Sequence, residues 1–230
     1  MPEGTLPPIL TLDVFADPIC PWCYVGKRRL ERALALTGGR ASVTVRWRAF
    51  QLNPAMPPGG MERGAYLAGK FGGADRARKV YDVIRREGEA EGIAFAFARI
   101  QRTPNTVLAH RLLRYAGRYG LADTVMEGLF RAYFLDGRDI GAAAELVAIG
   151  IDAGCDGAGV SAYLAGVEDH DAVMAEDAAA RLAGIGGVPH FIIADRYQLP
   201  GAQSPEVLAR GIELARAALR RAGSDGQSPG

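Results

Sequence analysis

Apolar and polar residues alternate with a period of two only near the two ends of this chain; the long stretch between repeats with the period of a helix. Residues 9–16, ILTLDVFA, place Leu10, Leu12 and Val14 on one face and Thr11, Asp13 and Phe15 on the other, a strand pattern. Residues 43–50, VTVRWRAF, alternate again, with Val43, Val45, Trp47 and Ala49 opposite Thr44, Arg46, Arg48 and Phe50. After Pro21 the period changes: Cys23, Gly26, Leu30, Ala33 and Leu34 share a helical stripe, Lys27, Arg28, Glu31 and Arg32 lie mostly off it, and Gly38-Gly39 stops the helix. Strand, helix, strand is the order of a parallel βαβ unit.

Behind the proline- and glycine-rich segment NPAMPPGG (53–60), strand signals almost vanish until about Ala183. Val80, Val83, Ile84 and Glu87 follow the helical repeat, as do Leu108, Leu112, Tyr115, Ala116 and Tyr119, and Val125, Leu129 and Tyr133. Asn105 or Thr106 caps the second of these, and glycines at 120, 137, 154 and 166 mark further stops, with no fixed-period repeat. HFIIADRYQLP (190–200) reads as a hairpin turning at Ala-Asp-Arg. SPEVLARGIELARAALRRA (204–222) reads as a closing helix with Ser204 as cap and Pro205 first inside it. Two front strands need partners from the back of the chain. The pattern therefore predicts an α/β domain (residues 1–58 and 184–222) interrupted by an all-helical insertion (59–183), with a disordered tail (223–230).

Composition narrows the function. Hydrophobic residues make up 49% and charged residues 23%, the balance of a globular protein, and no apolar run approaches the roughly 20 residues that span a bilayer. Net charge is +1 and the arginines are scattered among acids, so no field favours nucleic acid; Arg28-Arg29 and Arg85-Arg86 read as exposed helix faces. The start, MPEGTLPPIL, has no basic stretch of a secretory signal, which gives the cytoplasm as the expected location. Three cysteines, at 20, 23 and 155, are too few for a disulfide scaffold, so the close pair calls for a chemical explanation.

That pair lies in DPICPWCYVGK (17–27). Proline is favoured in the first helical turn, where its missing N–H is no loss, so Pro21 puts Cys20 at the N-cap, facing the N–H groups of Trp22 and Cys23 and the positive end of the helix dipole. Such a position stabilises a thiolate, making Cys20 the expected exposed nucleophile. Cys23, one turn along on the buried stripe, is placed to resolve a mixed disulfide by attacking Cys20. Zinc would need further ligands, and Cys155, His110, His170 and His190 do not recur at ligand spacing, so no metal is expected. A purely structural bridge across one helical turn would gain little entropy.

DPICPWCYVGKRRLE, FQLNP (50–54), NTVLAH (105–110), LFRAYFLDGRDI (129–140), GIGGVPHFII (184–193) and GAQ (201–203) together resemble the DsbA-like family of the thioredoxin superfamily, and within it the FrnE-like branch. The resemblance implies a thioredoxin fold with an inserted all-helical domain, and a thiol–disulfide oxidoreductase or isomerase. Carried over, it makes Cys20 the attacking thiol, Cys23 the resolving thiol and Pro189 a cis-proline against the sulfurs. The backbone of Val188 would then be free to bind an extended substrate. Pro21 and Trp22 would tune the reduction potential and help form the substrate surface. NTVLAH would line the cleft; its His110 is either a packed histidine or a proton shuttle. His190, after the proline, either meets the thiolate or simply occupies a strand edge. No bound cofactor is implied beyond a Cys20–Cys23 redox disulfide; partners would be protein thiols and disulfides, or glutathione.

The same fold resembles that of kappa-class glutathione transferases and 2-hydroxychromene-2-carboxylate isomerases. FQLNP, with Asn53, and the GAQ loop are similar to parts of their glutathione sites. A serine usually replaces the attacking cysteine there, whereas this chain keeps both cysteines. A glutathione-dependent isomerase or transferase on a small aromatic or polyketide-like substrate is the alternative, and a non-enzymatic holdase or zinc carrier a third. Cys155 reads as a small, inert filler. The sequence favours neither monomer nor homodimer.

Overall fold

The computed structural model describes residues 10–39 and 43–225. Strand β1 (Leu10–Ala16) leads into helix α1 (Pro21–Leu36), which returns the chain to β2 (Val43–Ala49). β1 and β2 pair in parallel, from Leu10 opposite Val43 to Ala16 opposite Ala49. The insertion follows: β3 (Met61–Glu62), α2 (Arg63–Phe71), α3 (Ala74–Ala90), β4 (Arg102–Thr103), α4 (Val107–Gly117), α5 (Ala122–Arg131), a π-helical turn (Ala132–Asp136), α6 (Ala143–Asp152), α7 (Gly157–Ala165) and α8 (His170–Leu182). The chain then comes back as the hairpin β5 (His190–Ile193) and β6 (Tyr197–Pro200) and closes with α9 (Pro205–Asp225). The main sheet has the order β2-β1-β5-β6, with β5 antiparallel to both β1 and β6. The front strands thus find their partners at the far end of the sequence.

Local chemistry sets the boundaries. α1 stops where Gly38 and Gly39 adopt φ of 87° and 89°, and the Gly39 N–H caps the Leu34 carbonyl at 2.7 Å. The hairpin turns through Ala194 and Asp195, both at positive φ. Thr106 occupies the N-cap of α4, but the Asn105 carboxamide oxygen takes the Val107 N–H at 3.0 Å. Three expectations need correcting. The insertion carries a short β3–β4 ladder, Met61 opposite Thr103 and Glu62 opposite Arg102, too brief to display a period of two. α9 runs on to Asp225, past the expected end at residue 222; residues 226–230 lie outside the described residues. Asp13, on the polar side of β1, is buried because β1 is central, and it receives two 2.7 Å hydrogen bonds from the Arg46 guanidinium.

One apolar core runs from the sheet through α1 into the insertion. The Tyr24 ring of α1 stacks on Phe130 at 4.9 Å and meets Phe95 edge-on at 6.1 Å. Charge reinforces the join. Lys27, expected off the buried stripe, is 4% exposed and lies 3.1 Å from Glu127 and 3.8 Å from Asp123 of α5. Arg28 and Arg29, expected on a solvated face, bridge instead to the insertion: Arg28 to Glu127, and Arg29 to Glu87 and, at 2.9 Å, to Glu91. A stem can cover apolar surface while its charged head finds a partner, which sequence periodicity does not register.

Candidate active site

The site forms where β1 hands over to α1. Asp17, fully buried, ends the strand: one carboxylate oxygen accepts the Ile19 N–H at 3.2 Å, the other accepts the Leu52 N–H at 2.7 Å, and its side chain also hydrogen bonds Thr106. The Asp17 main-chain carbonyl takes the Cys20 N–H at 2.9 Å. One acid therefore ties together the active-site turn, the loop after β2 and the start of α4. Burial, opposed by these bonds, pushes its carboxyl up to about 7.

Cys20 is the N-cap residue of α1, extended at φ −90° and ψ 112°, and Pro21 is buried in the first turn. The Cys20 carbonyl accepts the N–H groups of Cys23 at 3.0 Å and Tyr24 at 3.4 Å. Its thiol makes no capping hydrogen bond; Sγ instead donates to the Val188 carbonyl at 3.5 Å. Against expectation, Cys20 is only 3% exposed, because the sulfur turns under the Val188–Pro189 segment rather than towards the helix amides or solvent. Cys23 is buried behind it, and both are free thiols. Burial first, then the neighbouring Cys20, pushes the Cys23 thiol well above its ordinary value, so it stays protonated at neutral pH. Trp22, half-buried, packs against the same core.

The Val188–Pro189 peptide is cis, and the Pro189 carbonyl accepts the Gly201 N–H at 2.8 Å. The proline ring meets α1 at Gly26, where a Cβ would sit 2.8 Å from Pro189 Cγ and 3.4 Å from Phe191 Cζ. Gly26 is thus the gap that lets the cis-proline segment reach the helix.

The histidines take packing positions. His110 is 2% exposed, hydrogen bonds the Phe50 backbone, and is pushed by burial down to about 4. From the NTVLAH segment it is Thr106, not His110, that reaches the site. His190 bonds Gln198 across the hairpin at 3.3 Å and pairs with Phe15 and Pro200, a strand position rather than a contact with Cys20. Asn53 accepts hydrogen bonds from the Tyr66 hydroxyl and the Lys70 ammonium, each at 3.3 Å, beside the Leu52 backbone that holds Asp17. Cys155 lies between α6 and α7 and is buried; burial raises its thiol.

Sequence reading missed Asp17 and Arg63. An Asp-Pro step reads as an ordinary turn, and only the fold brings Leu52 and Thr106 to its carboxylate. Arg63, 8% exposed, donates to the Tyr81 hydroxyl at 2.7 Å and to Thr103 at 3.0 Å and lies over the Tyr66 and Tyr81 rings. Burial raises the Tyr81 phenol, opposed by the Arg63 guanidinium beside it. Among the described residues, no group of three or more His, Cys, Asp or Glu side chains could hold a metal ion, and no helix is long and apolar enough to cross a membrane.

Uncharacterized protein YwbO of Bacillus subtilis is 28% identical over 205 residues, covering 87% of this chain and 94% of its own. SCO1869 of Streptomyces coelicolor, described as a probable DsbA oxidoreductase, superposes with a TM-score of 0.81 at 32% identity, covering 90% of this chain and 89% of that one. DsbM of Pseudomonas aeruginosa, a cytosolic disulfide reductase solved with glutathione, shares the fold at a TM-score of 0.60 and 22% identity, over 92% and 98% of the two chains. A family profile matches residues 11–213, and the chain belongs to the DSBA-like thioredoxin domain family.

Proposed function

We propose that the protein is a thiol–disulfide oxidoreductase in which Cys20 attacks and Cys23 resolves. The observation that carries this reading is the dithiol itself: two reduced cysteines one helical turn apart at the start of α1, the first with its sulfur at the Val188 carbonyl. The Cys20 thiolate displaces one sulfur of a substrate disulfide, forming a mixed disulfide and releasing a thiolate. Cys23 then gives up its proton and attacks Cys20, forming the Cys20–Cys23 disulfide and releasing the second substrate thiolate. The substrate gains two electrons and the protein loses them; an external dithiol or glutathione returns them. The raised Cys23 thiol suits this order, since it idles until the first exchange has occurred.

Pro21 and Trp22 lie between the two cysteines, and Val188 and Pro189 offer the backbone edge along which an extended substrate lies. No resident cofactor enters the reaction. Glutathione is a natural electron donor here, supported by its presence in DsbM, and that protein's cytosolic setting supports a cytoplasmic one for this chain. In a cytosol poised below about −220 mV the pair rests mainly reduced unless its own potential is lower still, which favours the reductase or isomerase direction over net oxidation.

Insulin reduction driven by dithiothreitol or glutathione tests the reading. Catalysis is expected in the native chain and not in Cys20→Ser; unchanged turnover in that variant refutes the assignment. Glutathione-dependent turnover of a small aromatic substrate that survives Cys23→Ala would establish the isomerase or transferase reading instead.

A further inference from the structure

The main sheet ends in two edge strands, β2 and β6, and they are finished differently. On β6 the Gly201 N–H bonds the Pro189 carbonyl, so antiparallel alternation leaves the outward main-chain groups to Gln198 and Pro200. Pro200 has no N–H to offer, which blunts that edge. On β2 the Phe50 N–H bonds back to Ala16, while the Ala49 N–H points away from β1 and reaches the Glu176 carboxylate at 2.7 Å. The same alternation turns the main-chain groups of Val45 and Trp47 outward, and among the described residues neither has a hydrogen-bond partner for them. The β2 edge is capped at its end and open along its middle.

A cavity of about 800 Å³ lies over this open stretch. Residues from both faces of the strand line it, Thr44, Arg46 and Arg48 from one and Val45 and Trp47 from the other, so its floor is the edge itself. Across it stand Arg114 and Arg118 of α4. The four arginine side chains are 36–43% exposed, whereas the three acids of the wall, Asp123, Asp169 and Glu176, are 11–29% exposed. The acids hold the cations from behind: Glu176 meets Arg48 at 3.0 Å, Asp169 meets Arg114 at 3.4 Å and also holds Arg118, and Asp123 takes the Trp47 indole N–H at 3.1 Å. Arg46 is held in the same way by the shielded Asp13, and Arg118 reaches the exposed Glu168 at the rim. The cavity therefore presents unpaired main-chain groups bordered by guanidiniums, and none of its walls belongs to the dithiol site.

We propose that the β2 edge is a docking site for an extended segment of another protein that carries carboxylates at alternate positions. Only a main chain offers N–H and C=O groups at the spacing of a strand, and a carboxylate is the natural partner of an exposed guanidinium. The segment adds to the sheet as a further strand beside Val45 and Trp47. Because side chains alternate between faces, residues two apart fall together on the face of Arg46 and Arg48, with Arg114 and Arg118 across the cavity. The same arginines exclude other strands: a basic one is repelled, and a neutral one covers the guanidiniums without pairing them.

The test follows the fluorescence polarisation of a labelled, end-capped Val-Glu-Val-Glu-Val peptide as the full-length protein is added. Saturable binding that weakens as salt is raised is expected. Replacing both glutamates of the peptide by glutamine should weaken it at least about tenfold, the size of one charge-assisted hydrogen bond. Methylating the backbone nitrogens of the acidic peptide keeps every charge, removes the strand donors and should cost a similar factor. On the protein, Arg114→Gln should weaken binding roughly tenfold, and so should Val45→Pro, which removes an outward N–H that the pairing with β1 does not use. The two altered peptides leave the fold untouched, so they decide the matter even if Val45→Pro unfolds. Absence of saturable binding at millimolar protein overturns the proposal. A glutamine peptide that binds within twofold of the acidic one overturns the charge assignment, and a methylated peptide within twofold overturns the strand pairing. Equal competition by free glutarate would make the cavity a small-carboxylate site instead, and a chain that sediments as a dimer and takes the peptide only once diluted to monomer would give the edge to a second copy.

Discussion

Two helix starts in this chain sit beside a buried cysteine, and only one carries a second thiol in its first turn. At α7 the Asp156 carboxylate accepts the Ala158 N–H at 3.3 Å and the Gly159 N–H at 2.9 Å, filling the helix end; Cys155 precedes it with no second thiol in line. At α1 the N-cap is Cys20 itself, and no side chain accepts from the first turn. Burial raises the thiols of Cys23 and Cys155 alike. What separates the regions is therefore not exposure but company: α1 holds a second thiol one turn inside and sets no side chain on its first amides, and α7 spends its own on a carboxylate.

The sharpest way to break this contrast is to exchange the sulfurs for inert groups. Cys20→Ser is expected to lower disulfide exchange by more than about a thousandfold, since a hydroxyl is a far poorer nucleophile and leaving group at neutral pH, while Cys155→Ala stays within twofold; insulin turnover compares the two. Cys23→Ser is expected to lose roughly a hundredfold in turnover while accumulating a mixed disulfide on Cys20, visible as added mass on the intact protein.

The third prediction concerns Asp17 and pH. Its carboxyl is raised from 3.8 to about 7, so between those values the folded chain holds a proton that the unfolded chain has released. Stability from this group is complete below the unfolded value and is lost as pH rises towards 7. Relative to Asp17→Asn, the native protein should lose about 3 kcal/mol between pH 5 and pH 8, read from denaturant midpoints; parallel curves would contradict the burial argument. Gly26→Ala should cost about 1–2 kcal/mol in the same assay, because crowding against Pro189 outweighs the better helix propensity of alanine. Smallest is Asp156→Ala, about 1 kcal/mol of lost capping with exchange activity intact; a fall in exchange would couple the two helix ends and undo the contrast.

Strands β1 and β2, α1, the late hairpin and the order of the elements could be read from periodicity, because each buries one face and the alternation records which. Partnership could not. Lys27, Arg28 and Arg29 look like surface charge until Glu127, Glu87 and Glu91 arrive from the insertion. Asp17 looks like a turn residue until Leu52 closes on it. In the site, the cysteine spacing suggested the chemistry proposed above, but the turning of Cys20 under Val188 depends on a segment 168 residues away. For His110 the motif left two readings open, a packed ring or a proton shuttle, and the ring lies buried against the Phe50 backbone.

The charged joins on both flanks of α1 decide how firmly the two cysteines are held against the insertion. With Lys27 and Arg28 fastened to α5 and Arg29 to α3, the helix is splinted on two sides, and swinging the insertion away would leave the Lys27 ammonium only Glu31 of its own helix. The helix that carries the two cysteines is therefore a fixed post, and in the exchange proposed above accommodation falls to the incoming molecule.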